Sequence, residues 1–490
     1  MQTTCREMAA LLGSNGRPFL VTKPLHCLKA RGFCHSIWAN GRGPSRTRPR
    51  LSVVGSPDDY NTSTPPAPHG GGGAGGIWSS SSSRISPPSA FLANFTTRAT
   101  TTASTMTSME NGTNATTPAN NWLGAQGAAA FDFRSDTMTT PTLAMLNAIQ
   151  TTTLLDDVFQ EDPTTLELEA HVAALTGKEA GLFVLSGTMG NQIALRSLLT
   201  QPPHSVLCDK DSHIVKYEAG GVASLCGALV TAVKPSNGCY LTLEDVRENV
   251  VLSDDVHACP TRVISLENSL AGMVMPLAEV RRISAFAREH GILMHCDGAR
   301  LWEVVASGAG SLTDFCACFD TVSLCFSKGL GAPIGSIVVG SESLIKQGRW
   351  VRKSIGGGLR QAGVVTAAAR VAVDVTFGRE SNGQGGLLKA SHATAKRVEK
   401  MWTDLGGRVI HPVETNMCWL DLGSLGCSAA RFEQLGREAG LKLMGHRLIT
   451  HYQIGEEAVQ KLATVFQQVA QENAAGGQSA KDPATGIYGH

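Results

Sequence analysis

Five short apolar runs constrain this chain most: AGLFVLSG from Ala180, HSVLCDKD from His204, TRVISLEN from Thr261, GILMHCDG from Gly291 and TVSLCFSK from Thr321. Each has the length and composition of a buried strand, and each closes on polar or glycine residues. Between two of them, PLAEVRRISAFAREHG (Pro276 to Gly291) sets Leu277, Val280, Ile283, Phe286 and Ala287 at helical spacing. Proline near its start and glycine past its end punctuate a helix. Strand, helix, strand alternation predicts an α/β fold, a mostly parallel sheet with helices on both faces. Ligands of such sheets bind beyond the carboxyl ends of the strands. The residues that close each run are therefore the first candidates for a site.

At 490 residues and 42% hydrophobic, the chain can bury a large core and has room for two or three domains. A net charge of +1, with 17% charged residues, argues against nucleic acid or an acidic membrane as partner and for a small neutral or zwitterionic ligand. No apolar run approaches the roughly 20 residues of a membrane span. The thirteen cysteines show no repeated spacing, and Cys316 and Cys318 are too close together for a zinc knuckle, so they read as reduced, mostly buried thiols of a soluble intracellular protein.

Residues 1–128 have another composition. GGGGAGG at Gly70 to Gly76, SSSSS at Ser79 to Ser83 and TTRATTTAST from Thr96 cannot bury enough apolar surface to fold, which predicts a disordered arm. The first 57 residues carry nine arginines and lysines against one acid, Glu7, and RGFCHS at Arg31 to Ser36 resembles a mitochondrial processing site. An ordinary basic tail, or translation starting near Met106, fits equally, so cytosol and mitochondrion both stay open. A large domain is expected over 129–378, a smaller C-terminal α+β domain over 379–472 and a mobile tail over 473–490.

Three of the strand endings carry chemistry. SGTMGNQ, after the first run, opens a predicted helix at Gly187 and Thr188, whose free amides and hydroxyl form a phosphate cradle. Neither GxxxxGK nor GxGxxG is present, and a plain turn is the competing reading. After ILMHC come Asp297 and, three residues on, Arg300. A carboxylate at the end of an apolar strand needs a cationic partner. Either Arg300 is that partner, or Asp297 caps a helix, or Asp297 faces a protonated heteroaromatic nitrogen and leaves Arg300 for another anion. Lys328 closes the next run, before a glycine-rich loop that leaves room for a ligand. An amine desolvated beside other cations becomes nucleophilic. Phosphate cradle, strand-end aspartate and strand-end lysine together fit pyridoxal phosphate, which has a phosphate, a pyridine nitrogen needing an acid, and an aldehyde that condenses with a lysine amine.

From Phe131 to about Gln471 the chain resembles the low-specificity L-threonine aldolases, fold-type I pyridoxal-phosphate enzymes. The resemblance rests on FRSDTMTTPT, DDVFQEDPT, GKEAGLFVLSGTMGNQ, DSHIVKYEAGG, HCDGARLWE, CFSKGLGAPIGS and GGGLRQAG. It implies cleavage of a β-hydroxy-α-amino acid to glycine and an aldehyde. It also implies that Lys328 binds the cofactor covalently, that Asp297 pairs with the ring nitrogen and that His213 stacks on the ring. Gly187 and Thr188 bind the phosphate by this resemblance, and Arg300 lies near the cofactor hydroxyl or the substrate carboxylate. Ser135 and Arg447 match residues that hold the substrate carboxylate. Arg360, with Lys353, matches a basic residue reaching a neighbouring subunit's phosphate, which implies a homodimer or homotetramer with shared sites. His213 is also a candidate for removing the β-hydroxyl proton, with stacking alone as its alternative.

Two departures bear on specificity. Where many bacterial relatives carry a histidine after the Glu-Asn pair, this chain reads ENSLAGMVMP, with Ser269, Leu270 and Ala271. DDVFQEDP has Phe159 and Gln160 where tyrosine and glycine are common. Competing readings are another pyridoxal-phosphate reaction such as β-elimination, a nicotinamide oxidoreductase and a catalytically silent scaffold.

Overall fold

A computed structural model describes residues 127–378 and 385–476. The basic arm, the segment read as a processing site and the tail from residue 477 lie outside the described residues.

Seven strands form the main sheet: β1 (Ala180–Val184), β2 (Ser205–Asp209), β3 (Leu229–Val233), β4 (Thr261–Glu267), β5 (Leu293–Gly298), β6 (Thr321–Cys325) and β7 (Ser336–Gly340). Their order is β1-β7-β6-β5-β4-β2-β3. β2 to β6 run parallel, and β7 is antiparallel to both of its neighbours, β1 and β6. This is the mostly parallel sheet that the sequence predicts. β3 and β7 were not among the five runs. LVTAV in β3 sits at a sheet edge with exposed positions, and SIVVG follows the glycine loop so closely that it reads as loop.

Consecutive apolar residues face opposite ways along a strand, and here both sides are covered. Phe183, Leu207, Ile264 and Ile337 join one buried cluster, while Leu182, Val184, Val206, Val263 and Val338 face two others. The helix Gly187–Leu198 covers the second face with Ile193, Ala194 and Leu195. The helix Leu277–Glu289 covers the first with Val280, Ile283, Phe286 and Ala287 buried, the face expected from its spacing.

A second sheet, β8 (Arg408–Val409), β9 (Met417–Asp421) and β10 (Arg447–Ile449), is antiparallel in the order β10-β9-β8. Its core joins Trp402, Cys418, Leu420, Phe432 and Phe466 with Phe133 from far upstream in the chain. The Phe133 amide donates to the Lys442 carbonyl at 3.0 Å, and the Ile449 amide donates to the Phe133 carbonyl at 2.9 Å. The stretch around Phe133 thus packs with the C-terminal core, not with the sheet of the 129–378 region. Hydrophobic pattern marks that residue as buried without saying against what. The last helix, Glu456–Ala474, runs two residues past the expected limit at 472.

Candidate active site

Three parallel strands deliver the site. β4, β5 and β6 are neighbours, with Glu267 in register with Asp297 and Asp297 with Ser323. Asp297 is 3% exposed. Lys328 follows β6 by three residues, so it is carried on the first turn of the loop and not on the strand itself. Its charge acts on Asp136, His213 and Glu267. The glycines after it have a more definite cause than room for a ligand. A Cβ at Gly329 would collide with Glu303 Oε1, and one at Gly331, where φ is +82°, would collide with the Tyr452 hydroxyl. The space belongs to those two side chains.

Asp297 is one end of a buried polar hub. The Asn191 amide donates to Asp297 Oδ2 at 2.7 Å and to Glu218 Oε1 at 2.8 Å, while Gln192 donates to Glu218 Oε2 at 2.5 Å. His213 meets Glu218 through Nδ1 at 2.7 Å, and its backbone amide donates to Glu267 at 2.7 Å. Burial alone would lower the His213 pKa, but the Glu218 hydrogen bond and the Asp297 charge outweigh it and raise the value above the ordinary one. Glu267 opens onto the cleft yet is enclosed by protein atoms. Burial, then the charge of Asp297, pushes its carboxyl up to about 8.

Arg300 already holds one carboxylate of the chain itself. Its Nε and Nη2 donate to Asp136 at 2.9 and 2.7 Å, a bidentate pair with side-chain exposures of 7% and 0%. Asn416 adds a third hydrogen bond to Asp136 at 3.2 Å. Burial raises the Asp136 pKa, and the Arg300 guanidinium with Lys328 and Asn416 more than reverses this, holding the carboxyl at about 2. Ser135, beside it, accepts from the Thr137 amide at 3.2 Å and lies 3.5 Å from Asp136 Oδ1. Arg447, at the start of β10, stacks over Trp419 at 5.8 Å and donates to the Arg134 carbonyl at 3.2 Å.

One cleft is lined by His213, Tyr217, Glu267, Arg300 and Arg447 against Leu270, Ala271 and Met417. It brings together His213, Arg300 and Arg447 from the sequence expectation. Lys353 and Arg360 lie elsewhere, both exposed; Arg360 Nη1 pairs with Asp156 at 2.8 Å. Gly187 and Thr188 open their helix as expected, with Ser186 capping the Met189 amide at 3.1 Å. A Cβ at Gly187 would be 3.8 Å from Ser336 Oγ, a buried hydroxyl with no hydrogen-bond partner. Bare first-turn amides, an orphan hydroxyl, an enclosed aspartate and a lysine within electrostatic reach fit the phosphate, nitrogen and aldehyde of pyridoxal phosphate.

Sequence reasoning passed over Asp136, Asn191, Glu218, Glu267 and His295. Glu267 closes TRVISLEN as Asp297 closes its own run, so the same signal marked it. The others sit inside a loop, a helix or a strand, where nothing local distinguishes them.

Residues 132–423 match the model of the beta-eliminating lyase family. The chain is 59% identical over 343 residues to an aldolase, vrtJ, of Penicillium aethiopicum, covering 70% of this chain and 87% of that protein. It is 47% identical over 346 residues to the alanine racemase TOXG of Cochliobolus carbonum (71% and 89%) and 46% identical over 332 residues to the low-specificity L-threonine aldolase of Candida albicans (67% and 87%). In fold it resembles the threonine aldolase of Leishmania major, at a TM-score of 0.60 and 18% identity, covering 69% of this chain and 99% of that one. The chain belongs to the beta-eliminating lyase and threonine aldolase family of pyridoxal-phosphate enzymes.

Proposed function

We propose that this chain cleaves L-threonine and L-allo-threonine to glycine and acetaldehyde, as a low-specificity L-threonine aldolase. The observation that supports this best is the cleft, in which Arg300 and Arg447 face an apolar wall of Leu270, Ala271 and Met417. In this reading the amino acid lies there with its carboxylate on the cations and its side chain on the wall. In this reading Arg300, Arg447 and Ser135 hold the carboxylate, Lys328 binds the cofactor and Asp297 faces its ring nitrogen. Once bound, the cofactor ring takes up the electron pair left on Cα when a bond to that carbon breaks.

The β-hydroxyl must lose a proton as the Cα–Cβ bond breaks, and Cα must gain one to become glycine. His213 is the base of this reading, because Glu218 holds its Nδ1 and thereby fixes which nitrogen is left to face the cleft. Leu270 and Ala271 offer the β-hydroxyl no polar side chain. With no side chain of that wall reading the configuration at Cβ, both L isomers are substrates in this reading.

Lys353 and Arg360 serve a neighbouring copy's phosphate in this proposal, in a homodimer or homotetramer. The support is the exposed apolar loop that carries Asp156, with Leu154 at 62%, Leu155 at 51% and Phe159 at 70%. Residues 1–60 fused to a reporter decide between cytosol and mitochondrion.

Racemisation of a small amino acid is the second reading, favoured by the likeness to TOXG. Purified holoprotein given L-threonine should release glycine and acetaldehyde. Release of 2-oxobutanoate would indicate β-elimination instead, and D-alanine formed from L-alanine would favour the second reading. Lys328→Ala should abolish turnover on every substrate while leaving the fold intact.

A further inference from the structure

The Asn191 amide bridges two buried carboxylates, and something must decide which way round that amide sits. Its oxygen, Oδ1, meets His295 Nε2 at 3.1 Å, and His295 Nδ1 meets Thr321 Oγ1 at 2.9 Å. His295 is fully buried on β5 and lies two residues before Asp297 in the chain.

Counting donors fixes every proton along this line. Asn191 Oδ1 can only accept, so His295 Nε2 carries the hydrogen. His295 Nδ1 then accepts, and the Thr321 hydroxyl donates to it. With its oxygen held by His295, Asn191 turns both amide hydrogens toward Asp297 Oδ2 and Glu218 Oε1. Turned the other way, the amide would aim its oxygen at two carboxylates and leave both without that donor. Such an arrangement inside a protein costs far more than it would in water.

We propose that Thr321 and His295 act as positioning residues that lock the Asn191 amide, so that Asp297 and Glu218 are both held, like charges side by side, where the cofactor ring and His213 need them. This rests on the reading that Asp297 faces the ring nitrogen. His295 does not line the cleft, and its work is done through Asn191. Burial keeps its imidazole neutral, with the pKa lowered to about 4 despite the nearby Asp297 charge. The charged groups grouped with Asp297 and Glu218 are His213, Glu267 and Lys328.

The amide nitrogen of glutamine stands where imidazole Nε2 does, and that of asparagine where Nδ1 does. His295→Gln therefore keeps the donor to Asn191, while His295→Asn removes it. We expect His295→Gln to bind pyridoxal phosphate within about threefold of the natural protein. His295→Asn should lose roughly ten- to hundredfold, as for an unsatisfied buried group. The same variant should shift the pH dependence of the bound cofactor's visible absorption and lower kcat with KM nearly unchanged. Thr321→Val, which frees the imidazole to change tautomer, should show a smaller effect of the same sign and keeps the idea testable if His295→Asn does not fold. Affinity and absorption are read without any substrate, so they stand even if L-threonine proves not to be one. Equal affinities and absorption titrations in the two His295 variants, with differences in thermal stability alone, would overturn the proposal.

Discussion

Arg300 and Arg360 each pair with an aspartate more than 160 positions upstream, and both were expected near a cofactor. The two pairs differ in everything but chemistry. Arg300–Asp136 is bidentate, with side-chain exposures of 7% and 0%, and Asn416 supports it from the C-terminal region. Arg360–Asp156 has one hydrogen bond and exposures of 56% and 19%. A buried pair is costly to break because the survivor is an unpaired charge without water, whereas an exposed pair exchanges readily with solvent and salt. One arginine is thus part of the frame, and the other is available to a partner.

Removing one member of the buried pair is the harshest test of that contrast. Asp136→Ala should destabilise the cofactor-free chain by about 3–5 kcal/mol in chemical denaturation, because the Arg300 guanidinium is left buried and unpaired. A loss no larger than that of an exposed pair would show that water reaches Arg300. Replacing both partners, Asp136→Leu with Arg300→Met, should recover most of that stability while turnover stays lost.

Acid separates the pairs next. The Asp136 carboxyl titrates near 2 in the native state against 3.8 ordinarily, so the unfolded chain takes up its proton first as pH falls. Its contribution, roughly 2 kcal/mol, is fully present above pH 4 and is lost as pH drops through 2. Asp136→Asn should remove that acid-sensitive component from a stability profile.

The smallest effect belongs to the exposed pair. Arg360→Ala should leave the denaturation midpoint of the cofactor-free chain unmoved at any salt concentration. If the residue serves a neighbouring copy's phosphate, the same variant should weaken cofactor binding in the assembly. Unchanged cofactor affinity would make it a surface arginine only.

Local pattern was enough for much of this molecule. Five of the seven main strands and the face of one helix follow from apolar spacing, because burial on a sheet or along a helix repeats at a fixed period. Asp297 and Lys328 stood out because a charged residue closing an apolar run lies on the rim where such sheets bind ligands. Their strands, β5 and β6, are indeed adjacent. Tertiary structure alone decided which charges meet. Asp136 reaches Arg300 across 164 positions, Asn191 reaches Asp297 across 106, and Phe133 joins a core built mainly beyond residue 395. Pairing of this kind depends on burial and on distances between segments remote in the chain, and no local period encodes either one. A carboxylate that looks like a surface acid in the sequence becomes a buried anchor only when the fold removes its water and supplies its partner.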